Sequence, residues 1–173
     1  MSKAVLLSIK PKYCELIASG KKTIEVRKTR PKIDVPFKGY IYCTKARELF
    51  SYGGGLLGAS DQLYRLPTGE IKFGDSIELM CCNDEYSKDN FLNGKVIGEF
   101  VCDTIITDRT FGHDPMFKAL SHMSDAEIAS YCTANEMYGF HISDLVIYDK
   151  PKELSEFGLN RPFQSWGYVE ELR

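Results

Sequence analysis

The sequence predicts an α+β protein in which about six short strands, with a few helices inserted between them, curl into a mixed sheet or a small barrel. Three observations lead there. The chain opens strand, helix, strand in under thirty residues, with a helix too short for a comfortable parallel crossover. Short apolar or alternating runs then recur to the C-terminus, separated by Gly, Pro and Asn. The length of 173 residues, with 43% hydrophobic and 12% aromatic side chains, suits one domain, able to bury roughly 70% of its unfolded surface. A single domain over 1–173 is expected, and intrinsic disorder or a fibrous repeat is excluded.

Ala4 to Lys10 is short and apolar, as a buried strand is. Pro11 stands where a helix begins, Tyr13, Leu16 and Ile17 share one helical face, and Gly20 ends it. Thr23 to Arg27 alternates strictly, so Ile24 and Val26 are expected to face inward while Thr23, Glu25 and Arg27 form a charged outer face. Gly39 to Lys45 reads as a third strand. Gly53 to Gly58 reads as a flexible loop without the Lys-Ser/Thr ending of a phosphate-binding loop. Phe73 to Cys81 turns into a fourth strand, residues 83–93 form a polar loop, and Gly94 to Ile106 makes a long fifth strand bent at Gly98. Ser124 and Glu127 make a capping box that starts a helix running to about Met137, with Ile128, Tyr131 and Cys132 on its buried side. Phe140 to Tyr148 is a sixth strand, Pro151 to Phe157 a loop or helical turn, and Trp166 to Leu172 the terminal strand.

The net charge of -2 hides a strong asymmetry. Residues 1–47 carry twelve Lys or Arg against three acids, while residues 48–173 carry ten against twenty-one. A focused basic region attracts phosphates whatever the far side carries, although a lysine-rich solvated face would give the same count. Six cysteines are present, and Cys14, Cys43 and Cys102 sit in apolar segments. With no signal-like segment at the N-terminus, free buried thiols in a cytoplasmic protein are expected. Neither the adjacent Cys81 and Cys82 nor the scattered His113, His122 and His141 has metal-ligand spacing, so no metal or other cofactor is expected. No apolar run approaches the ~20 residues of a membrane span.

The stretch Ser8-Ile-Lys-Pro-Lys-Tyr13 followed by Gly20-Lys-Lys-Thr-Ile-Glu-Val-Arg27 resembles the ASCH domain family of the PUA-like superfamily. The family pattern Gly-x-Lys-x-x-Glu-x-Arg is met by Gly20, Lys22, Glu25 and Arg27, in place after a strand, Lys-Pro and a helix. Tyr42 to Lys45, Val96 to Phe100, Ile142 to Tyr148 and Pro162 to Val169 extend the likeness. The resemblance implies a β-barrel of PUA-like type with helices closing its ends and a cleft lined by Lys22, Glu25 and Arg27. It also implies an RNA, nucleoside or nucleotide ligand. Some members resemble small hydrolases of acylated cytidine or RNA, in which the motif Lys acts with a Thr, at the position held here by Glu25, and a Glu from a later helix. Lys22 matches and Glu25 departs, while Glu127 or Glu136 is a candidate for the third group.

The chemistry of these residues suits either role. Lys22 and Glu25 can clamp a phosphate and a sugar or base edge, and Arg27 offers a planar fork for phosphate. For catalysis, Lys22 needs desolvation to become a base or nucleophile, or else Glu25 is the base and Lys22 stabilises an oxyanion. A plain ion pair between Glu25 and Arg27 on the strand is the structural alternative. Lys10 and Lys45, each at a strand end, are candidate phosphate contacts at the cleft rim, or solvated lysines. Trp166 is a candidate base-stacking residue or core, Tyr40 and Tyr42 a stacking pair or packing, and Arg161 a further rim cation.

Overall fold

The apolar opening run forms β1 (Lys3–Ile9), buried over most of its length, and Lys10 leads directly into α1 (Pro11–Ala18) with Pro11 at its first turn. Gly20, at φ 72°, supplies the left-handed turn that ends this segment, as its place in the sequence requires. In the computed structural model the described residues are 2–45, 92–110, 113–131 and 136–172, with the backbone of three short strands between 48 and 73. Those three, β4 (Glu48–Leu49), β5 (Leu63–Arg65) and β6 (Ile71–Phe73), form a small antiparallel sheet of their own. The loop expected at Gly53 to Gly58, most of the strand expected at Phe73 to Cys81, and Cys81, Cys82 and Cys132 lie outside the described residues.

The remaining strands are β2 (Ile24–Arg27), β3 (Phe37–Cys43), β7 (Val96–Cys102), β8 (Ile105–Asp108), β9 (Met137–His141), β10 (Ser143–Lys152) and β11 (Trp166–Glu170). They build a five-stranded sheet in the order β10-β7-β3-β1-β11 and a three-stranded sheet in the order β2-β9-β8. The five-stranded sheet is mixed, as expected, because β1 runs parallel to β3 while every other pairing is antiparallel. Helices α2 (Pro115–Ser121) and α3 (Asp125–Tyr131) follow β8. The α+β class is therefore correct.

Several boundaries differ from the sequence reading. The run Gly94 to Ile106 is two strands, β7 and β8, which leave one sheet and enter the other at Asp103 and Thr104. The run Phe140 to Tyr148 likewise divides at Ile142 into β9 and β10. Alternation reports which residues face a core but not which of two sheets supplies it, so each corner was invisible. The two corners meet where His141 Nδ1 lies 2.6 Å from Asp103 Oδ1. A register shift in the β3–β7 pairing marks the bend expected at Gly98, where a Cβ would come within 2.4 Å of the Val146 carbonyl oxygen. The capping box forms, with Ser124 N–H donating to Glu127 Oε2 at 2.8 Å and Glu127 N–H to Ser124 Oγ at 3.3 Å. Its helix is short, however, and Met137 already belongs to β9.

The main core lies between the five-stranded and three-stranded sheets, where Val5, Leu7, Ile41, Phe100 and Phe140 are buried with Ile17 of α1. Phe37 and Phe140 meet edge to face at 6.1 Å. The opposite face of the larger sheet buries Tyr40 and Tyr42 with Phe157. Both tyrosines are thus packing residues, and Tyr40 Oη accepts the Leu172 N–H at 2.9 Å. A third cluster places Ile24 and Val26 against Phe117, Met123 and Ile128 of the α2–α3 segment. Cys14, Cys43 and Cys102 are buried free thiols.

Candidate functional site

The charged face of β2 is not an outer face. All four residues of β2 are buried, with Ile24 and Val26 under α2 and α3 while Glu25 and Arg27 point into the space between the two sheets. Alternation separated the two sets correctly, but both sides of this strand are covered. Lys22, Glu25 and Arg27 are only 2%, 5% and 5% exposed.

The three side chains form a chain of charge. Arg27 Nη2 lies 2.9 Å from Glu25 Oε1, and Lys22 Nζ lies 3.6 Å from Glu25 Oε2, close enough for ionic attraction but beyond a hydrogen bond. Backbone carbonyls complete much of the shell. Lys22 Nζ donates to Ser121 O at 2.7 Å, Arg27 Nη1 to Ser165 O at 3.1 Å and Arg27 Nη2 to Ser8 O at 3.0 Å. The Ser165 hydroxyl also accepts from Arg27 Nη1 at 3.2 Å. Glu25 Oε2, Arg27 Nε and Thr23 Oγ1 are buried without a hydrogen-bond partner. Such orphans are uncommon in folded proteins, since each costs about 1–3 kcal/mol, and each calls for an explanation such as strain, a chemical role or a bound water or ion.

Tyr13 of α1 closes the site from above. Its ring lies 5.0 Å from Lys22 Nζ, and its hydroxyl donates to Glu127 Oε1 at 2.8 Å. Lys12 Nζ meets the same carboxylate oxygen at 2.7 Å. Burial pulls the Lys22 pKa below its ordinary value, opposed by the Glu25 carboxylate. Burial together with the Glu127 carboxylate pushes the Tyr13 phenol up. The Lys12 ammonium, then the Ser124 and Tyr13 hydrogen bonds, hold Glu127 down at about 2.

A pH prediction follows from Glu127. Its folded pKa lies below the ordinary carboxylate value, so its contribution is fully present above about pH 4.5 and is lost as pH falls toward 2. Because the group is part-exposed, that contribution is discounted to about 1–2 kcal/mol. The gap in unfolding free energy between wild type and Glu127→Gln is expected to shrink across that window in urea melts. A gap that stays constant from pH 6 to 3 would refute the assignment.

The other candidates are distributed unevenly. Glu127 reaches the neighbourhood of Lys22 through Tyr13, whereas Glu136 pairs with Arg109 at 3.2 Å and accepts from Tyr138. Lys10 and Lys45 are both exposed at the C-terminal ends of the parallel strands β1 and β3, the end at which Arg27 reaches Ser8. Trp166 is half-buried against the main core, its Nε1–H donating to Thr29 Oγ1 at 3.1 Å and its ring edge to face with Tyr168 at 5.6 Å. Arg161 is exposed before β11. The sequence reading missed Tyr13 as a site residue, together with Ser121, Ser165 and Ser8. Three of these act through backbone carbonyls, which leave no mark on residue identity.

An α+β fold of PUA-like type, with a buried chain of charge running from Lys22 to Glu25 and Arg27 of the second strand, defines the class. The ASCH domain family model matches residues 7–144, and the chain belongs to that family. Crystal structures of the ASCH protein from Zymomonas mobilis share the fold at 16% identity and TM-score 0.62, covering 97% of this chain and 88% of that one. A tyrosine-to-phenylalanine variant of the same protein matches over 98% of this chain and 92% of its own, and a serine-to-alanine variant over 97% and 89%, each at 16% identity and TM-score 0.62. No curated protein sequence matches. Among the described residues, no helix is long and apolar enough to cross a membrane.

Proposed function

We propose that this protein binds RNA or a nucleotide-like ligand in a cleft built around Lys22, Glu25 and Arg27, with Lys10 and Lys45 as phosphate contacts at its rim. The observation that carries this reading is the buried chain of charge in which Glu25 Oε2 and Arg27 Nε have no hydrogen-bond partner. Arg27 Nε is a donor suited to a phosphate or base oxygen, and Glu25 Oε2 an acceptor for a ribose hydroxyl or base amino group. Tyr13 and the Ser121 carbonyl both contact the Lys22 ammonium, so a ligand that reaches it shares or displaces those contacts. General association of ASCH domains with RNA and the basic first third of the chain agree with it. Strand β11, beyond the residues matched by the family model, pairs with β1 and supports reading 1–173 as one domain. The two sheets that face across the main core are read as the walls of the barrel.

Affinity for single-stranded RNA is expected to fall steeply with added salt and to be lost in Lys22→Ala. Salt-insensitive or absent binding across a panel of RNAs and nucleotides would overturn the proposal. One observation favours a second reading, a metal-independent hydrolase of an acylated nucleoside or RNA. Burial lowers the Lys22 pKa, the direction a lysine base requires, with Glu25 beside it. Turnover that survives chelator and disappears in Lys22→Met supports hydrolysis; no turnover across modified nucleosides and RNAs leaves binding alone.

A further inference from the structure

Beyond Arg27 the chain leaves β2 and lines a cavity of about 950 Å³. Its walls come from the segment Lys28 to Val35, from Asp103 to Ile105 at the sheet-switching corner, and from Tyr138. This volume is at the upper end of the range for small-molecule sites, about 300–1,000 Å³. The cavity adjoins the buried motif through covalent and hydrogen-bonded links. Lys28 follows Arg27, Tyr138 is the cross-strand partner of Arg27, and Thr29 holds Trp166, whose neighbour Ser165 accepts from Arg27.

The lining has three kinds of chemistry. Ile33, Ile105 and Tyr138 are half-buried against the main core and give an apolar floor with one aromatic wall. Arg30 and Lys32 are exposed and form no ion pair among the described residues. Asp34 and Asp103 are exposed carboxylates, and Asp103 also contacts His141. A simple anion site would not need the apolar floor or tolerate both carboxylates. An apolar ligand would not need the cations. A nucleotide uses all three, with the base on the aromatic and aliphatic surface, phosphate on Arg30 and Lys32, and a sugar hydroxyl or base amino group on a carboxylate.

We propose that this cavity is a second nucleotide subsite, so that the ligand of the Lys22–Glu25–Arg27 cleft is a single-stranded oligonucleotide rather than a lone nucleoside. The inference rests on the nucleotide-binding reading of that cleft and adds the length and polarity of the ligand to it. One unit occupies the motif, and the neighbouring phosphate and base lie along residues 30–34 and Tyr138. Single-stranded nucleic acid is favoured over duplex because a base must leave its stack to reach the floor between Ile33 and Ile105.

The test compares a fluorescein-labelled hexauridylate, uridine 5′-monophosphate and uridine on wild type and on Arg30→Ala/Lys32→Ala. Both positions are exposed, so the variant is expected to fold, and a matching circular dichroism melt checks it. Hexauridylate affinity is expected to drop about tenfold or more, and the slope of log affinity against log salt to fall by about 1.4, for two lost phosphate contacts at ~0.7 each. Uridine binding at the motif is expected to stay unchanged. Tyr138→Leu, which keeps the apolar wall but removes the aromatic ring, is expected to weaken hexauridylate by about fivefold or more without changing the salt slope. Unchanged hexauridylate affinity and slope in the double variant would overturn the second subsite while leaving the motif cleft standing. Equal weakening of uridine and hexauridylate would also overturn it, since the effect would then belong to the motif. Absence of binding of all three probes to wild type would remove both readings together.

Discussion

Replacing Glu25 with alanine is expected to destabilise the protein by about 3–5 kcal/mol, among the largest effects of any single change, measured as the shift in urea midpoint at constant slope. The carboxylate is 5% exposed and is the only anion in contact with two buried cations, Lys22 and Arg27, among the described residues. Its loss leaves Arg27 charged in a dry site and removes the attraction that opposes deprotonation of Lys22. Glu25→Gln is expected to cost less, because the amide keeps an oxygen for Arg27 but contributes no charge. The triple variant Lys22→Met/Glu25→Leu/Arg27→Met is expected to regain most of the stability and bind no nucleotide. That outcome would show that the charges are retained for ligand binding and not for the fold. A Glu25→Ala variant within 1 kcal/mol of wild type would mean that water already enters the site.

Phe140→Ala is expected to cost a similar amount, about 3–5 kcal/mol, by a different route. Phe140 is fully buried, packs edge to face on Phe37 and stands directly across from both Glu25 and Ile105 in the three-stranded sheet. Truncation opens a cavity between the sheets beneath the charged chain. Phe140→Leu fills most of that volume and is expected to lose only about 1–1.5 kcal/mol. The two routes are separable by background: replacing Lys22 and Arg27 by Met is expected to remove most of the Glu25 cost, because the buried cations left unpaired go with it, and to leave most of the Phe140 cost in place. Urea melts of the combined variants check this, and an equal recovery of both costs in that background would refute the division.

Much of this was legible in the sequence, and the limits have physical causes. The first strand, the Pro11 helix ended by Gly20, the bend at Gly98 and the Ser124–Glu127 capping box follow from local chemistry, and each is present. The motif residues Lys22, Glu25 and Arg27 were identifiable, and they do meet. Their burial was not, because alternating polar residues read as a solvated face unless a second layer is known to cover it. Helix α2 escaped notice although Asp114 caps it and Pro115 opens it, since its seven residues are too few for periodicity to register. That Glu127, and not Glu136, touches Tyr13 was not legible, because the two are more than a hundred residues apart in sequence and only tertiary packing brings them together.

The pairing of β1 with β11 also sets an order of events during synthesis. Arg27 donates two of its hydrogen bonds to Ser165, 138 positions later, and Lys3 lies opposite Glu170 across the same pair of strands. A nascent chain that has emerged only as far as β10 has β1 paired on one edge, the other edge bare, and the Arg27 guanidinium short of two acceptors. The hydrogen-bond shell of Arg27 is therefore complete only once β11 has joined the edge of the sheet at β1.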